Sequence, residues 1–85
     1  MNQNKVYVSN LSYDTKEHDL ENHFNQFGAI SDIKLITDRD TGRSRGFAFI
    51  EFESQASAEK AIKEGDNSLL MSRNVRVSIA RDKRK

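Results

Sequence analysis

The segment RGFAFIEF at 45–52 places three phenylalanines within six positions, directly after an arginine and a glycine. Side chains at positions i and i+2 of a β-strand lie on the same face. Phe47 and Phe49 are therefore predicted to share one face, and Glu51 lies on it with them. The other face carries Ala48, Ile50 and Phe52. Since glutamate normally stays in water, the pattern predicts a one-sided sheet whose buried face is mainly aliphatic and whose open face carries two rings.

A second alternating segment, KVYVSNL at 5–11, shows the same division. Val6 and Val8 face one way, and Tyr7 faces the other. The alternative is that the three rings form the core. It would require both strands to slip by one residue, which would expose the valines, Ala48 and Ile50. We therefore predict that Tyr7 joins Phe47 and Phe49 on the open face.

The remaining apolar spacing completes an α+β pattern. Apolar residues recur at helical intervals over 15–27, where Asp14 or Thr15 is the predicted N-cap and Gly28 a left-handed helix end. A second helix is predicted to begin after Ser54 and to break at Gly65. Two more strands are predicted at 29–37 and 75–80, the last after a turn at Arg73-Asn74. The order β-α-β-β-α-β predicts a ferredoxin-like fold, a four-stranded antiparallel sheet with two helices on one face.

Composition narrows the class of protein. The 85 residues suffice for one domain and include no cysteine, which excludes disulfides and thiolate metal sites. No apolar run reaches the length of a membrane span or a secretory signal, so we expect a soluble intracellular protein, in the cytoplasm or, in a eukaryote, the nucleus.

The net charge of +1 conceals a segregated distribution. Residues 73–85 carry six basic side chains and one acid, and residues 14–21 carry four acids and one lysine. Such segregation creates local fields that favour oppositely charged partners, although a short basic terminus is also a common solubilising tail.

The sequence offers little for catalysis or metal binding. His18 and His23 are five residues apart, not at the i,i+4 spacing of a helical metal site. Thr41-Gly42 lacks the glycine and lysine spacing of a phosphate-binding loop, and no nucleophile has a base at a recognisable spacing. We expect neither an enzyme nor a bound cofactor.

The two strand motifs resemble those of the RNA-recognition motif (RRM) family. VYVSNL at 6–11 and RGFAFIEF correspond to its shorter and longer motifs, and the longer one departs only by Ile50 where valine is usual. The resemblance extends from about Val6 to Ala80. Within the family, the chain is similar to small single-domain members and to the RRM of cold-inducible glycine-rich RNA-binding proteins. It implies one RRM over 1–85, with a core at about 5–80 and a basic tail at 81–85.

The resemblance also implies roles for individual residues. Tyr7 and Phe49 would each stack on one base of single-stranded RNA, Phe47 would lie against the sugars, and Arg45 would pair with a phosphate. Candidates for base edges are Lys34, Arg76 and Ser78. Candidates for phosphate attraction are Arg43 with the rest of the 39–45 loop, and Arg81, Lys83, Arg84 and Lys85. For Asn10, a role in the turn after the first strand is preferred to direct contact with RNA.

Some positions depart from the family pattern. Gly65, Asp66 and Asn67 stand where a leucine and Asn-Gly are usual, so the core loses an aliphatic side chain that Leu69 or Met71 could replace. Ser72 replaces a turn glycine, and Lys16 occupies the usual cap position. Two other functions stay open, a protein-interaction module of the same fold and a domain that binds single-stranded DNA. In each case we expect a monomer.

Overall fold

The computed structural model describes residues 4–80, and its element order is the predicted β-α-β-β-α-β with one small hairpin added before the last strand. The hairpin is the one element that the apolar spacing did not predict. The elements are β1 Lys5–Ser9, α1 Glu17–Phe24 with a 3₁₀ turn at Asn25–Phe27, β2 Ile30–Thr37, β3 Ser44–Phe52, α2 Gln55–Gly65, β4 Leu69–Leu70, β5 Arg73–Asn74 and β6 Arg76–Ile79.

Four strands form one antiparallel sheet in the order β2-β3-β1-β6, which confirms the predicted fold class. The two motif strands, β1 and β3, are neighbours at its centre. Tyr7 lies opposite Phe49, and Val8 lies opposite Ala48. This register keeps rings with rings and aliphatic side chains with aliphatic side chains across the pair.

The core lies between one face of the sheet and the two helices. It is built mainly from side chains that strand alternation and helical spacing predicted to point inward, with Leu11 added, and most of them have no exposed surface at all. The buried apolar residues are Val6, Val8, Leu11, Leu20, Phe24, Phe27, Ala48, Ile50, Phe52, Ala58, Ala61, Val75 and Val77. Because both helices cover this face, the other face of the sheet remains open.

Helix α1 is capped differently from the prediction. Its N-cap is Lys16, not Asp14 or Thr15, and the Lys16 N–H donates to the Asp19 carboxylate at 2.9 Å. Thr15 lies one residue before the N-cap; it is buried, and its hydroxyl donates to the Met71 sulfur at 3.6 Å. A carboxylate in the first turn thus satisfies the N–H of the N-cap residue and complements the helix dipole.

Helix α2 begins as predicted and ends without loss of packing. The Ser54 hydroxyl accepts from the Ser57 N–H at 3.2 Å. Gly65, in place of the usual leucine, is buried directly against two rings. A Cβ there would lie 3.2 Å from Phe27 and 3.3 Å from Phe24. The rings therefore fill the space of the absent side chain, and neither Leu69 nor Met71 does so. These two are 64% and 43% exposed.

The segment before β6 is a hairpin, so the predicted turn at Arg73-Asn74 is wrong. Arg73 pairs with Leu70 across β4 and β5, and the turn falls at Met71 and Ser72. Both turn residues have positive φ, 53° and 67°, as a two-residue hairpin turn requires. The turn forms without glycine, and Ser72 lies where the family pattern has a turn glycine.

Gly28 ends the 3₁₀ turn, but its conformation is not the predicted left-handed helical one. It has φ 153° and ψ 172°. A Cβ at this position would lie 1.9 Å from the Ser57 hydroxyl and 2.3 Å from the Ser57 Cβ. Glycine is needed because the chain passes against the first turn of α2 here.

His23 links α1 to the loop after α2. The Ser68 hydroxyl donates to the Gly65 carbonyl at 2.6 Å, so it accepts from His23 Nε2–H at 2.9 Å. The ring also packs edge-on against Phe24, 4.9 Å between centroids. His23 is therefore partly buried and held by a hydrogen bond, and its burial lowers its pKa.

Within residues 4–80, no helix is long and apolar enough to cross a membrane. The same residues contain no cluster of three or more histidine, aspartate or glutamate side chains that could hold a metal ion.

Gly28→Ala should destabilise the domain by about 3 kcal/mol, because it combines an unfavourable φ with a collision against Ser57. Gly42→Ala is the matched control. Gly42 also has positive φ, 76°, but a Cβ added there would have nothing within 4 Å, so about 1 kcal/mol is expected. Urea unfolding measures both variants. Equal losses would show that the approach to Ser57 does not matter.

Acidification should destabilise the fold through His23. Since burial lowers its pKa in the folded state below 6.5, the unfolded chain takes up this proton at higher pH. The stability that neutral His23 contributes is fully present above the pKa of the unfolded chain. It is lost as the pH falls through 6.5 toward the lower pKa of the folded state. Urea midpoints between about pH 8 and pH 5 should shift less in His23→Gln than in the parent protein. His18→Gln, on the same helix but exposed to solvent, is the control, and a parent-like pH dependence in His23→Gln would contradict the assignment.

Candidate functional site

Three aromatic rings lie together on the open face of the sheet. Tyr7 comes from β1, and Phe47 and Phe49 come from β3. The Tyr7 centroid is 5.9 Å from that of Phe47 and 5.3 Å from that of Phe49, with tilted planes. All three are half-buried, whereas Val6 and Val8 have no exposed surface. This is the predicted register, and the slipped alternative is excluded. We call these three side chains the ring cluster.

A row of side chains crosses all four strands at the ring cluster. Lys34 on β2 lies opposite Phe49, Phe49 lies opposite Tyr7, and Tyr7 lies opposite Ser78 on β6. Directly opposed residues project to the same face. Two of the predicted base-edge candidates, Lys34 and Ser78, therefore flank the rings at either end of one row, and both are exposed.

Arg76 begins in the neighbouring row, opposite Ser9, but its guanidinium turns to the edge of the sheet. Its Nε–H donates to Asp66 at 2.9 Å, and the Val77 N–H donates to the same oxygen at 3.0 Å. The Arg76 bond, and after it the bond from the Val77 N–H, hold the pKa of Asp66 below its usual value. Sequence reasoning placed Arg76 on the correct face and missed this carboxylate partner.

The open face has an acidic end that sequence reasoning did not identify as a group. Glu51 follows the ring cluster on β3 and lies opposite Asp32 on one side and Lys5 on the other. Alternation along β3 predicted that Glu51 lies on this face. That Glu51 and Asp32 face each other across the strands follows only from the register.

The other end of β3 is cationic. Arg45 is exposed, and among residues 4–80 no side chain or backbone group forms a hydrogen bond or ion pair with its guanidinium group. Arg43 lies 3.6 Å from Asp14 in an exposed ion pair. Between the rings and Arg43, Gly46 has φ 94°, and its N–H donates to the Ser44 hydroxyl at 2.9 Å. The positive φ therefore requires glycine at position 46, in addition to the space that the missing side chain leaves beside the rings.

Two residues near Arg45 were not among the candidates that the sequence suggested. Arg73, on the hairpin, donates from Nη2 to the Asn10 side-chain oxygen at 2.9 Å. Asn10 has φ 62°, which fits the predicted turn role. Tyr13 is 63% exposed beside Gly46. The aromatic side chain of Tyr13, in the loop after β1, could have been recognised in the sequence as a candidate. The contact between Arg73 and Asn10 could not, because it spans 63 positions.

The structure brings together Tyr7, Phe47, Phe49, Lys34 and Ser78 on one face, with Arg45 and Arg43 at its end. Arg81 and Lys83, with Arg84 and Lys85, lie outside the described residues.

Comparison with known proteins agrees with the fold and with the two motifs. The family model described as "RNA recognition motif" matches residues 6–76. Glycine-rich RNA-binding protein 4, mitochondrial, of Arabidopsis thaliana is 42% identical over 79 residues, 93% of this chain. The protein named RbpE of Nostoc sp. PCC 7120 is 43% identical over 76 residues, 89% of this chain. The chain spans 58% of the length of the Arabidopsis relative and 77% of RbpE.

A solved structure, that of the Rna15 RRM with bound RNA (GU), superposes with a TM-score of 0.86 at 28% identity. The match covers 96% of this chain and 86% of the other. The family match extends over most of the chain, with both motifs in the central strands of the expected sheet. This chain belongs to the RNA recognition motif family.

Proposed function

We propose that this protein binds single-stranded RNA through the open face of its sheet, with bases stacked on the ring cluster and phosphates drawn to the cationic end. One observation carries the proposal: three partly exposed rings form a cluster on a face that no helix covers, with the centroids of Phe47 and Phe49 both within 5.9 Å of that of Tyr7. A soluble domain keeps a cluster of rings uncovered where a partner uses it.

Stacking suits this surface. Every base has a flat face, and stacking on an aromatic side chain is worth roughly 1–3 kcal/mol per base on alanine substitution. Tyr7 and Phe49 come from neighbouring strands in fixed register, so little conformational entropy is lost when bases bind. In this proposal they stack on two bases, Phe47 contacts the sugars between them, and Lys34 and Ser78 are within reach of base edges.

The relatives support the same ligand. The Arabidopsis relative is named as an RNA-binding protein, and the Rna15 domain was solved with RNA bound. A single domain of this kind should cover a few nucleotides with modest affinity and limited sequence preference. Arg81 and Lys83 are proposed to add attraction for phosphates.

Domain organisation and context belong to the same proposal. We propose one domain with its core at about 5–80 and a basic tail, acting as a monomer and without catalytic activity, as membership of a binding family supports. We propose a cytoplasmic location, although the relatives include a protein named as mitochondrial.

Two alternatives to RNA binding, a single-stranded DNA ligand and a protein partner, are outcomes of the same experiments. Stacking does not distinguish ribose from deoxyribose, so single-stranded DNA is an alternative ligand for the same rings. A protein partner on the helical face would leave the sheet unaffected. Amide shifts on titration with RNA separate RNA binding from a protein-interaction module, since RNA binding predicts shifts on β1 and β3, and shifts confined to α1 and α2 would contradict the proposal. The same titration with single-stranded DNA shows whether the sugar matters.

Phe49→Ala and Arg45→Ala should weaken binding in different ways. Removal of the Phe49 ring should cost roughly 10-fold in affinity at every salt concentration, because stacking releases no counterions. Arg45→Ala should also reduce the salt slope of log K by about one unit, because one phosphate contact is lost. Fluorescence anisotropy with a labelled RNA hexanucleotide of alternating guanosine and uridine, at several salt concentrations, measures both effects.

Lys60→Ala is the matched control for charge, because Lys60 is an exposed cation on α2, on the covered side of the sheet. It should leave the affinity and the salt slope unchanged. Parent-like binding by both Phe49→Ala and Arg45→Ala would refute the proposed interface.

Asp66→Asn should tighten RNA binding severalfold. The substitution removes the negative charge that holds Arg76 at the sheet edge but keeps an oxygen for the Val77 N–H. The freed guanidinium should then steepen the salt slope by up to about one unit. In Asp66→Asn/Arg76→Ala the gain should disappear, and a gain of the same size in this double variant would show that Arg76 is not its source.

A further inference from the structure

We propose that a groove beside the ring cluster, between Tyr13, Arg45 and Arg73, is an additional nucleotide site. It takes one more nucleotide of the same single strand, with the base on the Tyr13 ring and the phosphate between the two arginines. The inference rests on the proposed function, because the strand must first occupy the ring cluster.

The groove has a volume of about 270 Å³ and opens to solvent. Leu11 and Gly46 form part of its wall, and no acidic side chain lies among the residues that line it. Its two charged groups are both guanidinium groups. An open groove with two like positive charges and one aromatic ring is chemically suited to a nucleotide, which supplies a phosphate and a flat base.

The Tyr13 ring is exposed on a fixed backbone. The Tyr13 carbonyl accepts from the Ser44 N–H at 3.1 Å, which ties the loop to the start of β3. On either side, the Leu11 N–H donates to the Gly46 carbonyl, and the Thr15 N–H donates to the Ser12 carbonyl. A ring that is 63% exposed on such a support can stack on a base with little loss of backbone entropy.

Arg73 is held in position at the opposite side of the groove. Its Nε–H and Nη2–H donate to the Asn10 carbonyl and side-chain oxygens at 3.3 and 2.9 Å. The Asn10 amide in turn donates to the Asn74 carbonyl at 2.8 Å. An arginine has five N–H groups, so most of the Arg73 donors remain for an incoming phosphate.

The groove continues the ring cluster along β3. Arg45 and Phe47 are two positions apart on this strand, which corresponds to about 7 Å. Arg45 lines the groove, and Phe47 belongs to the cluster. A strand that lies across Phe47 and runs toward the cationic end therefore reaches Tyr13 next.

The chain provides its own probe, because it contains two tyrosines and no tryptophan. Tyr7→Phe keeps an aromatic ring in the ring cluster, and the tyrosine fluorescence of this variant reports Tyr13 alone. In Tyr13→Phe, the fluorescence reports Tyr7 alone. Each variant is titrated with an RNA trinucleotide, which is long enough for the ring cluster, and with an RNA hexanucleotide, both of alternating guanosine and uridine.

Tyr7 fluorescence should be quenched by both lengths, and Tyr13 fluorescence by the hexanucleotide alone. Quenching of Tyr7 with no change at Tyr13 under saturating hexanucleotide would overturn the second site and leave the proposed function intact. An unchanged Tyr7 signal with both lengths would overturn the proposed function and, with it, the second site.

Affinity gives an independent readout. Tyr13→Ala should weaken binding of the hexanucleotide roughly 10-fold and leave that of the trinucleotide unchanged. Leu69→Ala is the control, since Leu69 is equally exposed, at 64%, and does not line the groove. Equal losses for both lengths, or no loss for either, would contradict a site that only the longer strand reaches.

Discussion

The structure depends on one constraint, which is that two short helices can cover only one face of a four-stranded sheet. Strand alternation then determines which side chains of β1 and β3 are buried under the helices and which lie on the open face. Val6, Val8, Ala48 and Ile50 have no exposed surface, and Tyr7, Phe47 and Phe49 are left on the uncovered side. A shift of one residue would exchange these two sets, so the free energy of core burial also holds the rings in position. The stability of the fold and the geometry of the binding surface therefore come from the same register.

The part of the fold that follows from alternation and helical spacing was predictable from the sequence, and so was the ring cluster. The errors occur where the backbone conformation does not follow from residue type. Lys16 is an N-cap because Asp19 supplies the carboxylate, and Met71 and Ser72 form a hairpin turn with positive φ without a glycine. The groove could not be predicted as a site, since Arg73 reaches Asn10 across 63 positions. Contacts of this separation depend on the finished fold. Tyr13 was visible in the sequence, but only the structure shows that it lies beside Gly46 and Arg45.

The open face is electrically polar along β3. Arg45 lies at one end and Glu51, opposite Asp32, lies at the other. Six positions of strand correspond to about 20 Å, which is roughly twice the screening length at physiological ionic strength. The two ends therefore act nearly independently on a bound strand. In the proposed interface, phosphates are attracted where Arg45 and Arg73 lie, and they meet a net negative charge at the other end, where Lys5 offsets only one of the two carboxylates. This asymmetry favours extension of a bound nucleic acid from the ring cluster toward the groove over extension the other way.

The hairpin gives the groove a structural origin separate from that of the ring cluster. Strand β5 carries Arg73, and the turn carries Met71, whose sulfur accepts from the Thr15 hydroxyl next to the N-cap of α1. The hairpin is thus tied to the loop after β1 at two points, through Asn10 and through Thr15. Neither tie involves a residue of the buried sheet face. Substitutions in the hairpin can therefore change the position and charge of the groove while the register of β1 and β3 keeps the rings in place. In the proposed arrangement, general affinity for bases resides in the sheet, and two surface segments, the hairpin and the loop after β1, set how far the interface extends along a bound nucleic acid.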